Sequence, residues 1–134
     1  MRGRALPLVL VLVASTAPAQ AHHSLAGYDQ SRQVALKGVV TGFRFSQPHP
    51  FLAIDVEAAG AKQTWRLEMD NLFELRAIGL SREAFKPGDA VLVSGNPSRD
   101  GARNLYLRRL DRPSDGLRYE QVGSNPTVSV RPKP

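Results

Sequence analysis

Three histidines, His22, His23 and His49, are the only imidazoles in the 134-residue chain. The first two are adjacent, and the third stands between Pro48 and Pro50. If the mature chain begins at His22, that residue carries a free α-amine beside its own ring, and the two nitrogens can chelate a metal. A second imidazole completes a T-shaped set of three nitrogen donors, which suits Cu(II).

The first 21 residues have the pattern of a secretory signal peptide. Two arginines among the first four residues precede an apolar run over residues 5–14, and Ala19-Gln20-Ala21 fits a cleavage site. The alternative is a membrane anchor, but a spanning helix needs about 20 apolar residues, and Pro18 interrupts the run. Cleavage after Ala21 predicts a periplasmic or secreted protein that begins at His22.

Composition narrows the class of the mature protein. The chain has no cysteine, which excludes a disulfide framework and a thiolate metal site. Loss of two signal-peptide arginines lowers the basic count from 18 to 16 against 12 acidic residues, so the net charge falls from +6 to +4. The late arginines are interpreted as a solvated strand face rather than a nucleic-acid surface, because export separates the protein from nucleic acid.

The mature sequence begins with a segment of no clear period. Residues 22–33 are therefore predicted to form an extended leader. Tyr28 and Asp29 are expected to fasten it, with the ring buried against the first strand and the carboxylate capping a turn. From residue 34 onward, β-branched and aromatic residues alternate with polar ones, which is typical of strands. The first strand is expected to bend at a bulge beside Gly38.

The order of elements predicts the fold. A helix over residues 71–79 lies between the third and fourth of five strands, which are assigned to residues 34–46, 51–58, 63–70, 90–95 and 104–110. This order predicts an all-β fold with one helix, an OB-like five-stranded small barrel over residues 34–112. The alternative is an open antiparallel sheet with one helix packed on it. Residues 113–134 are predicted to be a proline-rich, partly disordered tail.

Several short motifs carry a resemblance. The segments "HHS", "LKGVVTGFRFSQPH", "WRLEMDN" and "LSREAFKPGDAVLVSGNP" resemble a family of small exported bacterial proteins of unknown function, over about residues 21–112. Gln47 stands where that family usually has asparagine before Pro48-His49. The resemblance implies the fold and the compartment but no activity. Histidine-brace copper proteins are similar to this chain only in the N-terminal histidine.

These observations predict a copper site, or a site for another divalent metal, used in metal handling or delivery. His22 would bind through its amine and ring and His49 through its ring, with His23 as a third or alternative ligand. The leader is long enough to run back along the first strand, about 40 Å, to the turn that holds His49. Glu68 or Asp70 is expected to serve as an outer-shell acceptor or an axial oxygen.

Other interpretations stay open. His22 and His23 can form a flexible terminus that binds copper only adventitiously, and His49 can be a turn residue bonded to nearby backbone. The rival function is a non-metal module that binds a glycan, a peptide or an envelope partner in a barrel groove, using Trp65, Tyr106 and Arg108. No catalytic residue is predicted, because no nucleophile–base pair is evident. A monomer or weak dimer is expected.

Overall fold

The computed structural model describes residues 23–132. The signal-peptide prediction and His22 therefore lie outside the described residues. The elements, in chain order, are α1 (His23–Ala26), β1 (Val34–Arg44), β2 (Phe51–Ala58), β3 (Ala61–Glu68), α2 (Leu72–Ala77), β4 (Ala90–Pro97), β5 (Asn104–Arg112), β6 (Leu117–Val122) and β7 (Asn125–Val130).

The first five strands close into a barrel. They are hydrogen-bonded side by side in the order β3-β2-β1-β4-β5, and β3 pairs again with β5 in parallel, from Arg66 opposite Asn104 to Glu68 opposite Tyr106. The helix α2 lies between β3 and β4 and begins at Asn71, whose side chain accepts from the Glu74 backbone N–H. The predicted OB-like barrel is confirmed, and the alternative of an open sheet is wrong.

The core of the barrel consists of the inward-facing residues of strands in which apolar and polar residues alternate. Leu52 and Ile54 of β2 and Leu105 and Leu107 of β5 are fully buried. Burying a side chain of this size contributes about 1.5–3 kcal/mol, so alternate apolar residues determine which face of each strand turns inward. The helix α2 adds Leu75 to the same core.

The bulge in β1 lies three residues beyond the predicted place. The regular alternation continues through Val39, which is 43% exposed, and Val40, which is 1% exposed, and the register between β1 and β2 shifts only between Val40 and Gly42. Gly38 serves a different purpose, because a Cβ at that position would press on the Asp55 carbonyl oxygen of β2. The glycine thus allows a close approach of two strands, and the change of face comes after it.

The segment predicted as a partly disordered tail contains two further strands. β6 pairs with β5, and β7 pairs with β6, so they extend the sheet beyond the barrel. Leu117, Tyr119 and Gln121 alternate along β6 and are all buried. Tyr119 belongs to the core cluster and is among its largest fully buried side chains.

The leader is attached to the closed barrel by backbone and side chain. After the single helical turn α1, Tyr28 forms a bridge with Ser98, and Asp29 N–H donates to the Pro97 carbonyl at 2.8 Å. The Tyr28 ring is buried against Tyr106 of β5, with 5.8 Å between ring centroids, rather than against the first strand. Asp29 caps a turn as expected, since its Oδ1 accepts from the Ser31 N–H and hydroxyl.

Candidate functional site

His49 lies in the connection between β1 and β2 and is half-buried. Its Nδ1 is 3.2 Å from the carbonyl oxygen of Met69, and the Met69 N–H donates to the Pro50 carbonyl at 2.9 Å. The loop is thereby held against the segment that follows β3. In the tautomer that donates from Nδ1, the Nε2 atom carries the lone pair. A metal-bound histidine commonly donates its other ring N–H to a carboxylate, a backbone carbonyl or water.

The leader reaches the same end of β3. The Tyr28 hydroxyl donates to Glu68 Oε2 at 2.6 Å, and Glu68 directly precedes Met69, which contacts His49. The structure describes the backbone of His23 as the first residue of α1. Tyr28 of the leader thus contacts Glu68, the last residue of β3, and His49 contacts the next residue, Met69.

The two predicted outer-shell carboxylates are already hydrogen-bonded. Glu68 accepts from Tyr28, as described above. Asp70 is buried, its Oδ1 accepts from the Asn71 backbone at 2.6 Å, and its Oδ2 accepts from Gln121 Nε2 at 2.8 Å. Within residues 23–132, no group of three or more His, Asp or Glu side chains is arranged to hold a metal ion.

All three tyrosines of the chain surround the segment 68–70. Burial, together with the hydrogen bond to Glu68, raises the pKa of Tyr28 well above its usual range. Burial raises the pKa of Tyr106 to about 12, with a contribution from the charge of Asp70. Burial also raises the pKa of Tyr119, whose hydroxyl donates to Gln121 at 2.7 Å. These hydroxyls are therefore protonated at neutral pH and act as donors.

The three predicted groove residues do not line a common groove. Trp65 shares the inward face of β3 with Leu67 and packs against the core, and its buried Nε1 has no hydrogen-bond partner in the part of the chain that the structure describes. Tyr106 lies between two inward leucines on β5, so its ring points out of the barrel. It is only 3% exposed beneath Tyr28 and offers no open stacking surface.

Arg108 occupies a position that the sequence reasoning missed. Ser94 of β4 pairs with Arg109 and Gly95 pairs with Leu107, so Arg108 is the extra residue of a bulge in β5. The sequence signal is the three-residue step from Leu107 to Leu110, both inward, where a regular strand has a step of two. Because of the bulge, the Arg108 side chain does not follow the regular inward and outward alternation of β5.

Comparison with known proteins adds a family but no activity. Residues 9–106, well over half of the chain, match a family described as "Family of unknown function (DUF6152)". No curated protein matches the sequence. Among the helices in the described range, none has the length and apolar character needed to cross a membrane.

Proposed function

We propose a function from the residues themselves, because this chain belongs to the Family of unknown function (DUF6152) and that description names no activity. The protein is a small exported protein of the bacterial periplasm that binds copper and takes part in its handling. His22 binds the metal through its α-amine and ring, and His49 binds through Nε2. His23 is a third or alternative ligand.

The contact between His49 Nδ1 and the Met69 carbonyl carries this proposal. In the tautomer that donates from Nδ1, this contact orients the ring and leaves the lone pair of Nε2 available to a metal, which is the arrangement of ligand histidines. Two flanking prolines restrict the backbone of the loop, so the direction of the ring is defined before a metal arrives. The residue is half-buried, so part of its surface is open to solvent.

The anchoring of the leader supports the participation of His22. Tyr28 is held to Glu68 at 2.6 Å, beside the residue that contacts His49. Six positions separate Tyr28 from His22. The mature amine therefore stays within about 20 Å of the Tyr28 backbone even in a fully extended chain. Only the short segment before Tyr28 has to be ordered when His22 and His49 bind one ion, so little conformational entropy is lost on chelation.

The donor chemistry favours copper over harder cations. Asp70 is committed to Asn71 and Gln121, and Glu68 is committed to Tyr28. The set that remains consists of an amine and imidazoles. Nitrogen donors suit Cu(II), which also stands highest in the affinity order of divalent first-row metals, whereas Mg²⁺ and Ca²⁺ require oxygen ligands.

The test compares two otherwise identical proteins that begin at His22, one with a free α-amine and one whose α-amine is acetylated. Copper affinity is measured by competition with a chromophoric chelator, and the ligand nitrogens are identified by electron paramagnetic resonance. The protein with the free amine should bind one equivalent of Cu(II), and the acetylated protein should bind about tenfold more weakly or worse, because the six-membered chelate ring formed by the amine and the His22 imidazole is lost. Equal, weak binding by both proteins would refute the proposal.

A second pair of variants separates the ligands. His49→Ala should weaken Cu(II) binding as strongly as acetylation of the α-amine. Unchanged affinity of His49→Ala would confine the site to His22 and His23 and would contradict a site shared by the leader and the barrel. His23→Ala distinguishes a third ligand from a bystander, since only loss of a ligand changes the nitrogen hyperfine pattern.

A further inference from the structure

A second site is suggested by a polar cleft away from His49. The cleft has a volume of about 500 Å³ and lies where the leader, β4, β5 and the turn between β6 and β7 meet. Its lining includes Gln30, Gln33, Ser94, Arg108 and Glu120. None of its lining residues belongs to the β1–β2 connection or to the segment 68–70. A volume of this size suits a small molecule.

The bulge in β5 directs Arg108 into this cleft. Bulges occur beside binding sites because the extra residue turns a side chain out of the regular alternation. Gly95, opposite Leu107, makes this bulge possible, since a Cβ there would overlap the Tyr106 carbonyl group. The close approach of the β4 and β5 backbones at Gly95 thus fixes the position of the Arg108 backbone.

The guanidinium group of Arg108 is held in place by three contacts. Its Nε donates to Asn96 Oδ1 at 2.7 Å, its Nη1 donates to the Gly123 carbonyl at 3.1 Å, and its Cζ lies 4.8 Å from the centre of the Tyr106 ring. Asn96 is buried and is itself fixed by donation from Nδ2 to the Arg32 carbonyl. The entropy of ordering this long side chain is therefore lost on folding rather than on binding.

Arg108 has no salt-bridge partner among the described residues. Arg109 also lines the cleft, but its charge is paired with Asp111 at 2.8 Å, whereas Arg108 forms no such pair. The two hydrogen bonds of Arg108 use two of the five N–H groups of a guanidinium. The three N–H groups that remain are one on Nη1 and two on Nη2. Two parallel N–H groups of a guanidinium can bind one carboxylate in a bidentate manner.

The rest of the cleft favours a ligand with hydroxyl groups and one negative charge. Gln30 and Gln33 are exposed, Ser94 is partly exposed, and all three have side chains that exchange hydrogen bonds with hydroxyls. Glu120, which lies opposite Arg109 across the β5–β6 pair, accepts from a hydroxyl and disfavours an anion of higher charge. We propose that the cleft beside Arg108 binds a small carboxylate that bears hydroxyl groups, such as a sugar acid.

The probe is glucuronate, with glucose as the uncharged sugar and acetate as the bare carboxylate. Each is titrated at constant ionic strength into the isotope-labelled protein that begins at His22, without added metal, and backbone amide and Arg108 Nε resonances are followed by NMR. Glucuronate should shift the Arg108 Nε and Gly123 amide resonances in a saturable manner. Glucose and acetate should bind about tenfold more weakly or worse, since each lacks one half of the recognised chemistry.

Two variants with the same change of charge provide the control. Arg108→Gln should weaken glucuronate binding about tenfold or more. Arg103→Gln alters an exposed arginine outside the cleft and should leave the affinity unchanged. Thermal melting of both variants checks that they fold. Absence of saturable shifts, glucose or acetate binding as tightly as glucuronate, or equal losses in the two variants would each overturn the proposal, and the wild-type comparison stands even if Arg108→Gln unfolds.

Discussion

Alkaline pH should unfold this protein through its tyrosines. Tyr28, Tyr106 and Tyr119 are the only tyrosines in the sequence, and all three are buried. Burial raises the pKa of each phenol above its usual value of about 10. The unfolded chain therefore releases three protons near pH 10, while the folded chain retains them.

The size of the effect follows from the number of protons. A group whose pKa is raised by folding contributes its full stabilisation below the unfolded pKa and loses it as the pH rises through the folded pKa. Ionisation of each tyrosine in the unfolded chain lowers the free energy of unfolding by almost nothing at pH 9 and by about 1.4 kcal/mol at pH 11. Three tyrosines therefore lower it by about 4 kcal/mol at pH 11. Domains of this size have only about 5–15 kcal/mol in total, so the loss at pH 11 removes a large share of the stability.

The assay measures ionisation and unfolding together. Absorbance at 295 nm reports the phenolates, and far-UV circular dichroism reports the strands, during urea titrations at several pH values between 8 and 11. The two signals should change together. Tyr28→Phe should retain the fold at neutral pH and reduce the dependence of the unfolding free energy on pH by about one third. Ionisation of the tyrosines with a midpoint near 10 and an unchanged dichroism spectrum would refute this reasoning.

Two further substitutions test features of the barrel. Gly95→Ala should lower the free energy of unfolding by about 1–3 kcal/mol, because the new methyl group meets the opposite backbone, whereas Gly42→Ala, where no atom lies within 4 Å, should be neutral or slightly stabilising in the same urea titration. Arg112→Lys should cost about 1–3 kcal/mol, since a side chain only 13% exposed loses its fork between Asp89 and Asp115. Arg109→Lys, at a side chain 45% exposed, should cost less than about 1 kcal/mol in thermal or urea melts, and an equal cost for both arginines would contradict the assignment.

The barrel could be predicted because each of its strands carries a local pattern. Alternation of apolar and polar residues follows from the packing of one strand face, and the order of five strands with a helix after the third leaves few topologies. The strand β6 escaped prediction because its third inward residue is Gln121. That residue is buried through hydrogen bonds to Asp70 and Tyr119, and Asp70 is 51 positions away in the chain. Sequence spacing carries no information on such a pairing.

The candidate sites were predictable to different degrees. The three histidines and the turn around His49 are visible in the sequence, but the acceptor for Nδ1 is a backbone carbonyl, which has no sequence signature. The partner of Tyr28 was assigned to the wrong strand because Glu68 and Tyr106 become neighbours only through the parallel pairing of β3 with β5. Arg108 could have been found, since the step from Leu107 to Leu110 records its bulge.

The attachment of the leader has a consequence for the order of folding. Tyr28 contacts Glu68 of β3 and pairs with Ser98 after β4, and these two segments meet where β3 and β5 join. That junction links residues far apart in the chain, so its formation is slow compared with the local hairpins. We expect the leader to dock only after this junction has formed. The leader is synthesised before the barrel strands but is then among the last segments to dock, and its contacts with β3 and with Ser98 stabilise the closed barrel.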